Sequence, residues 1–318
     1  MKVGFIGLGN VGAKLAGSIL RNGFDLTVRD LDSSTMEDFS RAGAALAESP
    51  QELAESCDVI ITCLPSPAVS ASVMEDENGI LAGLSEGKVW VEMSTTDEQE
   101  VLRLGKRVQA IGGFAADCPV SGGCHRASTG NIAIFAGCDR DVFDRIFPLL
   151  SAMGRQLLHT GQLGSASILK VVTNYLATAN LVSICEALAT TKATGLDLTT
   201  AYEAIRISSG NSFVHETEGQ VILNGSRDIN FTMDLVLKDI SLFQEVADRG
   251  QVPLELSPLL INIFQDAQDR YGSREWSPNV IRRLEDATGL VIQAPGFPPE
   301  MLDGEPEVPG EEVVVVRN

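Results

Sequence analysis

The stretch FIGLGNVG, residues 5–12, constrains the fold more than any other part of the chain. Its glycines, Gly7, Gly9 and Gly12, form G-x-G-x-x-G directly after a short apolar run and directly before an amphipathic segment. In that setting the first glycine allows a tight turn, the second a close approach of a pyrophosphate, and the third close packing of the next helix. The start of that helix presents backbone amides and a positive dipole end to the phosphates. Gly7, Leu8, Gly9, Asn10, Val11 and Gly12 are therefore expected to bind a dinucleotide. Asp30 closes the next apolar run, DLTVRD, 18 residues past Gly12, where a carboxylate takes the ribose hydroxyls. It would repel a 2′-phosphate, so NAD is expected in preference to NADP. Strand alternation should turn the adjacent Arg29 to the other face.

The pattern around this loop sets the fold class. KVGFIG, DLTVRD, DVIITCLP, KVWVEMS, FAADCPVS and GNIAIFAG read as strands, with helical patterns filling most of the gaps. Strands alternating with helices predict βαβ units, a mostly parallel Rossmann-type sheet over residues 1–161. From Ser165 to Thr194 there is neither proline nor glycine, and Gly195 follows as a C-cap. A helix of ~30 residues, about 45 Å long, is expected to link the domains. Residues 162–290 read as an all-helical C-terminal domain. Residues 291–318 are rich in Pro, Gly and Glu and read as an acidic tail, except that EVVVV invites pairing with a sheet edge.

Composition narrows the partners. The net charge of −19 disfavours nucleic acid and anionic membranes. The uncharged stretch Val171–Cys185 is too short and too polar to predict a membrane span. Six cysteines without a CxxC pair, and no basic segment leading an apolar one at the N-terminus, point to reduced thiols and a cytoplasmic location. No paired ligand spacing supports a metal, although Cys118, Cys124 and His125 lie close together.

One polar pair interrupts an apolar helix. In SILKVVTNYL, residues 167–176, Ile168, Leu169, Val172 and Leu176 recur at helical period, yet Lys170 and Asn174 share a neighbouring stripe four residues apart.

At this point the chain resembles the β-hydroxyacid dehydrogenases, the family that includes 3-hydroxyisobutyrate dehydrogenase and tartronate semialdehyde reductase. Four stretches carry the resemblance over about residues 1–290: FIGLGNVG, DCPVSGGCHRASTGNIAIFAGC, KVVTNYL and FTMDLVLKDISL. It implies nicotinamide-dependent oxidation of a hydroxyl β to a small carboxylate substrate. It also implies residue roles. Lys170 matches the catalytic lysine and Asn174 its partner. Ser121, Gly122 and Gly123 match the S-G-G that binds the substrate carboxylate. Leu64 and Pro65 match the loop beside the cofactor, Thr95 the threonine near the nicotinamide, and Lys238 a lysine near cofactor and substrate. Three positions depart from the pattern: Cys118 where alanine is common, Val69 where asparagine is common, and Met93 where serine is common. The first and last bear on the shape of the pocket.

The chemistry suits these residues. A lysine ammonium donates a proton when a carbonyl is reduced, and the neutral amine accepts one when an alcohol is oxidised. Burial would lower the lysine pKa from its ordinary ~10.4. Two alternatives share the scaffold: an imine reductase, which usually replaces the lysine, and a catalytically silent dinucleotide-binding protein, which has lost it. The long apolar helix also predicts a homodimer or homotetramer.

Overall fold

The computed structural model describes residues 1–316. Two compact units emerge: Met1–Lys170 together with the chain from Asp303 onward, and Val171–Leu302.

The first unit is built on a ten-stranded sheet. Its strands are β1 (Lys2–Ile6), β2 (Asp25–Arg29), β3 (Ala45–Leu46), β4 (Val59–Thr62), β5 (Val89–Glu92), β6 (Phe114–Asp117), β7 (Val120–Ser121), β8 (Ile132–Gly137), β9 (Gly154–Gly161) and β10 (Glu311–Glu312). Their order is β10-β9-β8-β6-β5-β4-β1-β2-β3, with β7 paired to β8. Every pair is parallel except where β8 meets β6 and β7. All four residues of β4, VIIT, and of β5, VWVE, are buried, which is why these strands read as continuous apolar runs. Successive residues serve opposite faces. Ile61 and Val91 join Phe5, Leu15 and Phe143 in one core cluster; Ile60 and Trp90 join Leu53, Met74 and Leu104 in another. The intervening helices begin where their sequences cap them: Asp32, Ser49 and Asp97 each accept a backbone amide of the first turn.

The second unit is helical. It takes the helix Ser165–Ala193 from Val171 onward, then Leu198–Arg206, Phe213–Glu216, Glu218–Asn224, Met233–Arg249, Leu256–Tyr271 and Arg282–Thr288, with a 3-10 turn at Ser277–Ile281. Leu181, Ile184, Leu188, Ile222, Met233, Ile240, Phe264 and Ile281 form its core. The long helix has 29 residues and stops before Gly195, whose φ of +81° returns the chain. The stretch Val171–Cys185 understates this helix. By length and composition alone Ser165–Ala193 is long and apolar enough to cross a membrane. Here its later turns, from Leu181 to Ala189, supply core residues of the helical unit.

The expected tail needs correction. Ile292 is fully buried in the helical core, with Leu290, Ala294 and Phe297 packed beside it. Ala294 donates its amide to the Leu223 carbonyl at 2.9 Å. From Asp303 the chain belongs to the sheet unit, where Glu311 and Glu312 pair in parallel with Gln156 and Leu157. Arg140 clamps the Glu312 carboxylate through both terminal nitrogens, at 2.6 and 2.9 Å. The valine run itself contributes only the Val313 amide, bonded to the Leu157 carbonyl at 2.8 Å. Val314 and Val316 are exposed. Composition misleads here because the strap is held by backbone pairing and ion pairs rather than by apolar burial.

Candidate active site

β1 lies between β2 and β4, so the connections leaving its neighbours diverge. In open parallel sheets a ligand settles in the crevice at such a point, beyond the carboxyl ends of the strands. The glycine loop follows β1 there. Gly7 adopts φ +99°, and a Cβ on it would lie 2.2 Å from the Cys63 carbonyl oxygen after β4. A Cβ on Gly12 would lie 2.0 Å from the Gly7 carbonyl oxygen. The fold itself demands both glycines. Gly9 differs: it is exposed, and a Cβ on it would meet nothing within 4 Å. No packing contact requires glycine at that position, and the open space above it fits a pyrophosphate cradle. Asp30 is bound into the same loop. Its Oδ2 accepts the Leu8 amide and its Oδ1 the Asp32 amide, the latter at 2.9 Å. A carboxylate has about four lone-pair sites, which leaves capacity for ribose hydroxyls. Arg29 packs toward the following helix, with Nη1 3.5 Å from Met36 Sδ.

The loops after β4 and β5 are tied together by residues that motif reading passed over. The Leu64 amide donates to Ser94 Oγ at 2.7 Å, and the Ser94 amide and hydroxyl both donate to Glu92 Oε1, the amide at 2.8 Å. Glu92 is buried at the end of β5. Burial pushes its carboxyl upward, and the Ser94 bonds work against that shift. The result is a fixed link between Leu64-Pro65 and the Ser94-Thr95 turn. Its sequence signal is an acid two residues before a serine at a strand end.

The S-G-G segment sits along β8. Ser121 pairs with Ala133, and Gly122 and Gly123 follow with φ of +128° and +88°. Gly122 caps the short helix Gly123–Ser128. Asp117, which opens the same motif, is fully buried at the end of β6. Its Oδ1 accepts the Gly164 amide at 2.8 Å, and its Oδ2 accepts the Ser167 amide and hydroxyl at 2.7 and 2.8 Å. An anion at a helix N-terminus is favoured by the dipole. Here it pins the start of the helix that bears Lys170. Burial pushes the Asp117 carboxyl upward and these three donors oppose it. Cys118 beside it is buried, and burial, with Cys138 and Asp117 nearby, holds its thiol protonated and unreactive. Cys118 and Met93 both belong to the core cluster, so two of the three departures from the family pattern are absorbed in the interior. Val69 is 37% exposed.

Lys170 is only 8% exposed, an unusual setting for a lysine. Asn174 follows four residues later on the same helix face. In the helical unit, Asn174 Nδ2 donates to Asp239 Oδ2, and Lys238 Nζ lies 2.8 Å from Asp239 Oδ1. That second contact is an ion pair. Asp239 is 2% exposed and couples the two predicted residues, yet nothing in L-K-D distinguishes it from a surface acid. The described contacts thus join the glycine loop to Asp30, Leu64 to the Ser94-Thr95 turn, and Asn174 to Lys238. Lys170 and the S-G-G motif belong to one unit and are related through Asp117; Asn174 and Lys238 belong to the other.

Comparison with known proteins gives the family. Residues 2–161 match the NAD binding domain of 6-phosphogluconate dehydrogenase, and residues 164–284 match the NAD-binding domain of NADP-dependent 3-hydroxyisobutyrate dehydrogenase. The chain is 33% identical to 2-(hydroxymethyl)glutarate dehydrogenase of Eubacterium barkeri, over 92% of this chain and 97% of that one. It is 30% identical to the NAD-dependent L-serine dehydrogenase of Pseudomonas aeruginosa, over 90% and 98% of the two chains. Among solved structures, 3-hydroxyisobutyrate dehydrogenase from Salmonella typhimurium is similar with a TM-score of 0.82 at 26% identity, covering 89% of this chain and 99% of that one. On the glycine loop, the helical second unit and these relatives, the chain belongs to the β-hydroxyacid dehydrogenase family and is an NAD-dependent oxidoreductase.

Proposed function

We propose that this enzyme interconverts a small β-hydroxy acid and its semialdehyde, with Lys170 as the proton-transfer residue. The observation that carries the reading is a lysine only 8% exposed, among Ile168, Leu169, Val171 and Val172 of the long helix, with Asn174 one turn along. The names of the relatives support the substrate class. 2-(Hydroxymethyl)glutarate, 3-hydroxyisobutyrate and L-serine each carry a primary alcohol β to a carboxylate. Gly7–Gly12 and Asp30 would hold NAD, with Leu64, Pro65, Thr95 and Lys238 beside it. NAD held there would supply the hydride acceptor for oxidation and, as NADH, the hydride donor for reduction. Ser121, Gly122 and Gly123 hold the substrate carboxylate. Lys170 takes the hydroxyl proton in oxidation and returns it in reduction. Asn174, its side chain oriented by the bond to Asp239, positions the reacting oxygen.

The lysine also argues against an imine reductase or a silent binding protein. Exposed Leu169 and Leu176 on the long helix support assembly into a homodimer or homotetramer. Six cysteines outside any disulfide fit a reducing compartment.

The test is kcat with L-serine, 3-hydroxyisobutyrate and 2-(hydroxymethyl)glutarate for wild type and two variants. Lys170→Ala should lower kcat by roughly 10²–10⁴ and leave NADH binding unchanged. Lys170→Arg should fail too, because guanidinium holds its proton. If Lys170→Ala keeps more than about a third of kcat, another group transfers the proton.

A further inference from the structure

The chain from Asp303 onward lies outside both family-matched segments, 2–161 and 164–284. The polar contacts of its first residues, Asp303 to Glu307, nevertheless converge on one place in the sheet unit. Asp303 Oδ2 accepts the Thr129 hydroxyl and, at 2.7 Å, the Asn131 amide. The Asn131 amide also donates to the Glu305 carbonyl at 3.0 Å. Arg155 Nη1 donates to the Pro306 carbonyl at 3.2 Å and lies 3.5 Å from Asn131 Oδ1. Glu307 accepts Asn22 Nδ2 at 3.0 Å and Arg21 Nε at 3.3 Å, while Arg21 Nη2 donates to the Ser128 carbonyl at 2.9 Å. Even the gap is shaped for this contact: a Cβ on Gly130 would lie 3.0 Å from Glu307 Oε1. Thr129 and Asn131, in the turn that ends the helix Gly123–Ser128, are therefore gripped by the strap, and Ser128 is reached through Arg21, which Glu307 holds.

That helix has reason to need a grip. It is six residues long, too short to be stable alone. It starts on two glycines with positive φ, the residues that lose most backbone freedom when fixed. Its buried anchors are Cys124 and Ala127, both small. Its first end carries Gly122 and Gly123, read above as part of the carboxylate site; its second end is where the strap attaches.

We propose that Asp303 and Glu307 are positioning residues, which hold the far end of this helix and thereby fix Gly122 and Gly123 against the substrate carboxylate. This rests on the reading of Ser121–Gly123 given above. A loop that must be ordered at each binding event costs affinity for the group it binds and leaves a distant site alone.

The experiment is steady-state kinetics with L-serine and 3-hydroxyisobutyrate, alongside NADH titration by fluorescence. The set comprises Asp303→Ala, Asp303→Asn, Glu307→Gln, the chain ended after Leu302, and Gly123→Ala. Asp303→Ala and the shortened chain should raise substrate KM by about three- to tenfold, the part of a lost charge-assisted hydrogen bond that reaches the other end of the helix. Both kcat and NADH affinity should stay within about twofold. Asp303→Asn should recover most of the loss, since its amide oxygen still accepts the Thr129 hydroxyl. Should the shortened chain fail to fold, the point variants decide. A KM unchanged in Asp303→Ala while Gly123→Ala raises it would overturn the strap's role alone. A KM unchanged in Gly123→Ala would overturn the carboxylate reading and the strap with it. A fall in Tm with no movement in KM would make the strap a structural brace, against the proposal.

Discussion

Two glycines of one loop should respond to the same methyl group in opposite ways. In Gly12→Ala the new Cβ would lie 2.0 Å from the Gly7 carbonyl oxygen. Non-bonded heavy atoms settle near ~3.5 Å, so backbone must move by more than about 1 Å. Overpacking of this kind costs about 1–3 kcal/mol, and here both colliding elements are main chain. For a unit of this size that lowers Tm by about 2–12 °C. In Gly9→Ala the new Cβ meets nothing within 4 Å, so the fold is undisturbed. Its stability should rise by up to about 1 kcal/mol, because alanine restricts the unfolded chain. The methyl would instead occupy the surface over which the pyrophosphate lies, raising the NADH Kd by roughly 10- to 100-fold, or about 1.4–2.8 kcal/mol. Calorimetry gives the first quantity and fluorescence titration the second. Wild-type NADH affinity in Gly9→Ala would refute the assignment of the loop as a cofactor cradle. A large fall in its Tm would refute the reading of open space above Gly9.

Asp239→Asn keeps an acceptor for Asn174 but removes the charge opposite Lys238; kcat should fall by about 3- to 30-fold, less than in Lys170→Ala, and a wild-type kcat would show that the coupling is idle. Glu75 is held down to about 2 by its bonds to Arg103 and Arg107, so its contribution is present above the ordinary value of 4.5 and is lost as pH falls toward 2. Because these partners are about half exposed, the contribution stays below ~1 kcal/mol, and the Tm difference between wild type and Glu75→Gln at neutral pH should vanish near pH 2. A difference that persists at pH 2 would locate the effect in packing.

Strands buried on both faces announce themselves, and so β1, β4, β5 and β8 were legible as apolar runs. β9, GRQLLHTG, was not: only its Gly154 and Leu157 are buried, and its place depends on β8 and β10, distant in sequence. β10 consists of two glutamates, residues that a strand pattern rejects. What places them is the Arg140 clamp and two main-chain partners on β9, which no local pattern contains. The segment around Ile292 was misread for a related reason. Prolines and glycines dilute its composition, yet a few apolar side chains suffice to dock it on a core already formed.

The site divides along the same line. The motif residues are those expected to face the ligands, and their chemistry shows in their types: glycines for phosphate, an acid for ribose, a lysine for the proton. Glu92, Asp117 and Asp239 do different work. Each is an acid lying within or beside a motif, and each is almost fully buried. Their partners stand 2 residues away for Glu92, 47 and 50 for Asp117, and 65 for Asp239. Burying a carboxylate is costly unless its oxygens are satisfied, and removing one partner leaves a large part of that cost unmet. Each acid therefore forces its neighbours into one arrangement: Ser94 with Leu64, the start of the Lys170 helix, Asn174 with Lys238. Geometry held by hydrogen bonds to a buried carboxyl has few alternatives, since any looser arrangement leaves those donors and acceptors unpaired in the interior. That is the property a hydride-transfer site needs, because the reacting atoms must be held within about half an ångström of productive alignment.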